Sequence, residues 1–170
     1  KFFLKFTNVL VEKPLAINVQ HVVELEKIAK KFKKNLFVDY PFIFSGSINY
    51  IKKIIQQKKL GKLMEIESFR EQAPVRKDTS VIWDLCVHDI SILKYLLNKN
   101  PKKINSIKYI TSKSKHEDTA YINLKYENKL NVFIKNSWLS PVKIRTIKFK
   151  FTNGFIICDE NESIYKIRIY

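Results

Sequence analysis

The hydrophobic positions change character along the chain. Up to about Leu97, short branched apolar runs alternate with stretches of helical period; beyond Pro101 only strand-like runs remain. Asn8–Val11 is a compact apolar run that suits a buried parallel strand and stops at Glu12-Lys13-Pro14, where Pro14 keeps Lys13 extended. Val22, Val23, Leu25, Ile28, Ala29 and Phe32 share a helical face and predict a helix from about Asn18 to Lys34, with Asn35 as its C-cap. Leu36–Asp39 is the next strand, so the start reads strand–helix–strand, the tail of a βαβ sheet. The segment Lys1–Phe6 reads as the end of a helix entering the first strand.

A second helix is expected from about Ile48 to Lys59, closed by Leu60-Gly61, followed by a strand at Glu65–Glu71. A loop from Gln72 to Ser80 leads to a third helix, Val81–Leu97. Strands are then expected near Ile104–Ile110, Thr119–Tyr126, Leu130–Trp138, Val142–Phe151, Phe155–Cys158 and Ser163–Ile169. Asn153-Gly154 is the strongest hairpin signal, because that pair tolerates positive φ; Glu127-Asn128 is weaker. Sequential strands with short turns imply an antiparallel sheet. The fold class is therefore an α/β tail of a Rossmann-type domain, residues 1–40, followed by an α+β domain with an open, largely antiparallel sheet, residues 41–170.

The formal net charge is +16, which at face value suits nucleic acid or an anionic membrane surface. The only arginines are Arg70, Arg76, Arg145 and Arg168; the other basic residues are lysines spread along the chain. Base-reading and bidentate phosphate sites favour the arginine fork, so a solvated basic surface outweighs a nucleic-acid site. The chain is 45% hydrophobic, enough to bury a core, yet no apolar run approaches the roughly 18–20 residues of a membrane span. Cys86 and Cys158 lie far apart, with no CxxC spacing; this argues against a metal site or a disulfide framework and fits a reducing cytoplasm.

The third helix carries the chemistry. It is apolar around most of its circumference, but Asp84, His88, Ser91 and Tyr95 fall on one stripe. A carboxylate four positions before a histidine can orient the imidazole and stabilise its protonated form, as a general base acting on a hydroxyl requires. From the helix alone, a structural Asp–His pair satisfied in the core is the weightier reading. His21 and His116 are remote in sequence, so a metal site is disfavoured. Lys13 stands just past the carboxyl end of a parallel strand, the edge where open α/β sheets bind ligands, and its cation could polarise a hydroxyl or carbonyl oxygen. A solvated lysine is the plainer alternative.

Val9-Leu10-Val11-Glu12-Lys13-Pro14-Leu15-Ala16 resembles the EKP segment of the Gfo/Idh/MocA oxidoreductases. Trp83-Asp84-Leu85-Cys86-Val87-His88-Asp89-Ile90 resembles their second signature, and Leu60-Gly61-Lys62 their usual entry into the second domain. Ser137–Lys143 and Lys166–Tyr170 look like segments of bacterial members found with sugar-nucleotide and surface-polysaccharide pathways. The resemblance runs in order over nearly the whole chain. It implies an NAD(P)-dependent oxidoreductase moving hydride between nicotinamide and a hydroxyl carbon of a sugar, nucleotide-sugar or polyol. In that scheme Lys13 hydrogen-bonds the reacting hydroxyl, His88 takes or returns its proton, and Asp84 orients His88. Glu12, Lys13 and Pro14 would border the cofactor, NAD or NADP.

The resemblance further implies a small sugar-like substrate, a homo-oligomer assembled through the sheet, a cytoplasmic location, and neither nucleic acid nor membrane as partner. Four positions depart from the pattern. Cys86 stands where many members have Gly or Ala, Ser91 replaces a frequent second Asp, and Pro41-Phe42 replace polar residues of sugar-acting members. The G-x-G-x-x-G turn is not found among Gly46, Gly61 and Gly154. The chain is accordingly expected to be a fragment, truncated at its start and at its end, that binds nicotinamide dinucleotides weakly and is inactive alone. The alternative is a non-catalytic oligomerisation or interaction module derived from the same fold.

Overall fold

A computed structural model describes residues 1–111 and 113–170. The chain divides into two compact units, Lys1–Pro41 and Phe42–Tyr170. In the first unit, β1 (Val9–Glu12) and β2 (Leu36–Asp39) pair in parallel, with Val9 opposite Leu36 and Glu12 opposite Asp39. The crossover is α1 (Val19–Lys31), whose N-terminus is capped by Asn18: its side chain accepts from the Gln20 N–H at 2.8 Å.

One expectation needs correction here. The helix ends at Phe32, with Lys33 in the left-handed region at φ 52°, so Asn35 is not its cap. Asn35 belongs to the ladder instead: its N–H donates to Asn8 Oδ1 and its carbonyl accepts from the Val9 N–H, both at 2.9 Å. Ahead of β1, Phe3–Lys5 forms a 3₁₀ turn.

The second unit is a seven-stranded sheet with both of its α-helices on one face. Its strands are β3 (Leu63–Glu71), β4 (Lys103–Tyr109), β5 (Thr119–Lys125), β6 (Asn131–Ser137), β7 (Ile144–Phe151), β8 (Gly154–Asp159) and β9 (Ile167–Ile169). The order is β4-β5-β6-β3-β7-β8-β9. Consecutive β6 and β7 are therefore not neighbours; β3 lies between them, parallel to β6 and antiparallel to β7, while every other pair is antiparallel.

The helices α2 (Gly46–Gln57) and α3 (Val87–Leu97) supply Ile48, Ile51, Ile54, Ile92, Leu93 and Leu96 to a core completed by inner-face residues such as Ile66, Val132 and Phe149. Ser45 caps α2, accepting from the Ile48 N–H at 3.3 Å, so the helix starts earlier than its apolar period suggests. Strand β9 is shorter than expected. The Asp159 N–H donates to the Lys166 carbonyl at 2.8 Å and closes a loop in which Ile164 and Tyr165 stay exposed.

Both hairpin signals mark turns. Thr152 and Asn153 turn β7 into β8, and Gly154 opens β8 at a φ of 157°, where an added Cβ would lie 2.6 Å from the Tyr170 carbonyl oxygen. Glycine is required there by its positive φ and by a close backbone approach. The β5–β6 connection holds left-handed residues at Asn128 (φ 58°) and Lys129 (φ 62°).

Candidate active site

The third helix begins with a wide turn. Ile82–Cys86 is π-helical and continues into α3. π turns recur at functional sites because they re-aim side chains. Asp84 lies in this turn and His88 in the first turn of α3; both are half-buried, as are Ser91 and Tyr95, which sets this stripe between the buried Leu85, Asp89, Ile92 face and the exposed Trp83, Ile90, Lys94 face.

Asp84 is gripped from two sides. Arg76 Nη1 donates to Oδ1 and Trp138 Nε1 to Oδ2, each at 3.3 Å. Arg76 in turn holds Asp78 at 2.6 Å; these contacts, Asp78 foremost, raise the Arg76 guanidinium further above its ordinary range. Trp138, 1% exposed, sits just past β6, so the carboxylate is referenced to the sheet as well as to the loop before the helix.

His88 packs edge-on against Phe42, with ring centroids 5.0 Å apart and planes at 81°. Its carbonyl accepts the Ser91 hydroxyl at 2.7 Å, so Ser91 serves its own helix. Tyr95 donates to Asn49 Oδ1 at 2.6 Å and lies 3.4 Å beneath the Lys52 ammonium, which ties α3 to α2.

One position beyond His88 is a feature the sequence reading missed. Asp89 is 1% exposed and accepts from Ser68 Oγ (2.9 Å), Arg70 Nε (3.1 Å) and Asn136 Nδ2 (2.8 Å). Arg70, itself 2% exposed, also lies over the Phe42 ring, its guanidinium carbon 4.4 Å from the centroid; Arg145 lies over the same ring at 5.5 Å. The available signal was strand alternation: Ile66, Ser68 and Arg70 share the inner face of β3, so two polar residues were committed to the core.

Lys13 belongs to the other unit. It is half-buried and follows β1 directly, through a cis bond to Pro14, with Glu12 as the last residue of that strand. The described residues contain no group of three or more His, Cys, Asp or Glu placed to hold a metal ion, and no helix long and apolar enough to cross a membrane.

The second unit is an α/β domain whose helices, one of them carrying Asp84 and His88, lie on a mostly antiparallel sheet. Residues 48–157 match the model of the GFO/IDH/MocA C-terminal domain, and the chain belongs to that family of oxidoreductases. It is 23% identical over 142 residues to myo-inositol 2-dehydrogenase of Thermotoga maritima, covering 76% of this chain and 42% of that protein. Its fold matches inositol dehydrogenase homolog from Azotobacter vinelandii, solved with NADH and myo-inositol, with TM-score 0.79 and 17% identity, over 96% of this chain and 49% of that one. It also matches GenD2 from gentamicin A biosynthesis, solved with NAD, with TM-score 0.81 and 18% identity, over 89% of this chain and 47% of that one. The chain thus spans less than half the length of these relatives.

Proposed function

We propose that the chain works within an NAD(P)-dependent oxidoreductase acting on a hydroxyl-bearing carbon of a sugar, nucleotide-sugar or polyol. The observation that carries this is His88, half-buried on the sheet-bound helix next to the turn that holds Asp84, in a chain of this family. The relatives named above include inositol dehydrogenases, which supports a polyhydroxylated substrate.

The first unit is the end of a Rossmann-type domain in this reading, and the second the substrate domain. A cation and extended backbone at the carboxyl edge of the parallel β1–β2 pair suit the nicotinamide end of a dinucleotide; Glu12, Lys13 and Pro14 would border it. The cofactor, when bound, supplies or accepts the hydride. Lys13 donates from Nζ to the reacting oxygen, which favours the alkoxide-like charge that develops there. The His88 imidazole takes or returns the hydroxyl proton. Asp84 favours the protonated imidazole, and its fixing by Arg76 and Trp138 limits how far it can follow solvent. The unpaired thiols Cys86 and Cys158 suit a reducing compartment such as the cytoplasm.

The reading includes self-association through the outer sheet face, where Phe69, Ile107, Tyr121 and Phe133 line one shallow apolar depression edged by Glu67 and Lys135.

The test is His88→Ala in the enzyme that joins this chain to a glycine-rich nucleotide-binding segment. Turnover of the best substrate in a panel of polyols, sugars and sugar acids should fall by about 10²–10⁴-fold, while NADH affinity, followed by fluorescence titration, stays unchanged. Equal loss of turnover and cofactor affinity would assign His88 a structural role and remove the reading's main support.

A further inference from the structure

Two guanidiniums share the Phe42 ring beside His88, and their N–H donors are not all matched by acceptors among the described residues. Asp89 is the carboxylate paired with Arg70, and it also serves Ser68 and Asn136. Among the described residues, Arg70 Nη1 is buried and makes no hydrogen bond. Arg145 points from the inner face of β7, half-buried; its Nε is buried without a hydrogen-bond partner among them, and Nη2 reaches Gln72 Oε1 at 3.4 Å. The other acidic group acting on Arg145, Glu160, is engaged by the Ser47 hydroxyl, the Cys158 thiol and, more distantly, Lys166. Burial, followed by repulsion from Arg70, lowers the Arg145 guanidinium below its ordinary range.

Buried guanidinium N–H groups without acceptors cost stability, and two like charges over one ring add to that cost. A ligand oxyanion would relieve both. Asp89 and Glu160 together already offset the two guanidiniums, so a singly charged carboxylate is accommodated more readily than a doubly charged phosphate. The apolar Phe42 ring strengthens such a pairing by excluding water, and the planar fork suits a planar carboxylate.

We propose that Arg70 and Arg145, set over Phe42 beside His88, form a subsite for a substrate carboxylate, so that the molecule handled here is a sugar acid and not a neutral polyol. The inference rests on the reading of His88 as the group that meets the substrate hydroxyl. It also gives Phe42, which departs from the polar residues of sugar-acting relatives, a role as the platform that spaces the two cations.

The test needs neither cofactor nor turnover, so its outcome is separate from that of hydride transfer. Four arginines make the side-chain Nε–H spectrum of the ¹⁵N-labelled chain simple to assign. Titration with D-glucuronate should shift the Arg70 and Arg145 signals saturably and leave Arg76 and Arg168 in place; D-glucose should move none of them. Arg145→Gln should weaken glucuronate binding by about tenfold or more. Arg145→Lys, which keeps the charge but not the fork, should weaken it too. The proposal is overturned if glucose shifts the same signals, if neither arginine responds to glucuronate, or if Arg145→Gln binds it as wild type does. Inorganic phosphate binding as tightly as glucuronate would overturn the carboxylate assignment in favour of a phosphate. Should Arg145→Gln fail to fold, the wild-type comparison of glucuronate with glucose still decides.

Discussion

Replacing Asp89 by asparagine removes one negative charge and almost nothing of its shape. In the native chain the carboxylate takes three donors: Ser68 Oγ and Arg70 Nε at one oxygen, Asn136 Nδ2 at the other. An amide offers acceptors on one side and donors on the other. Asn136 can turn its Oδ1, which has no partner among the described residues, to accept from that amide, but the Arg70 charge, with only 3% of its side chain exposed, would be left without a counter-charge. Breaking a buried pair by removing one partner costs about 3–5 kcal/mol. Domains are stable by only about 5–15 kcal/mol, so Asp89→Asn should be close to the limit of folding. Urea unfolding followed by the fluorescence of Trp138, which is 1% exposed, measures this directly. The Arg70→Met/Asp89→Leu double variant should lose less than the single one, because neither desolvated charge remains. A single variant within about 1 kcal/mol of wild type would refute the account, for it would mean that Arg70 gains little from Asp89.

Two further outcomes follow from burial and exposure. Burial pushes both thiols up, Cys158 to about 12 with help from the Glu160 charge, so neither is a thiolate at neutral pH. A thiol-specific reagent at pH 8 should label neither cysteine in the folded chain and both in urea; rapid labelling of the folded chain would contradict the packing around α3 and β8. If the outer sheet face mediates self-association, Phe133→Lys, at a side chain 43% exposed, should sediment as a smaller species than wild type at equal concentration, and an unchanged mass would move the interface elsewhere.

The elements were legible because their signals are local. Branched runs marked β1 and β2, Asn18 marked the start of α1, and the 3.6-residue period marked α2 and α3. Asp84 and His88 were visible for the same reason, since one helix carries both. Pairing order and the cluster around Asp89 were not legible. Asp89 meets Ser68, Arg70 and Asn136 only after β3 is placed beside β6, with Arg70 opposite Asn136, and no local period reports that register. Alternation in β3 puts Ser68 and Arg70 on the face of Ile66, but residue type pulls the other way, because the large apolar Phe69 faces outward. The Asn153-Gly154 signal found the right turn, and Gly154 has the positive φ that signal rests on, beside a close approach to the Tyr170 carbonyl that no local signal reports.

The placement of β3 also bears on how this unit can assemble. The strand is made early, yet both of its ladder partners, β6 and β7, come from much later in the chain, pairing Glu65 with Asn131 and with Lys150. Until those partners exist, β3 presents two open edges, and Ile66 has no inner-face neighbours from the sheet. Contacts this distant in sequence slow folding, because the loop-closure entropy must be met before the ladder can stabilise anything. On the ribosome, the Phe42–Leu97 stretch should therefore wait as exposed strand and helices until β7 has emerged. Substitutions that weaken β7 would then appear first as lost yield and aggregation, ahead of any defect at His88.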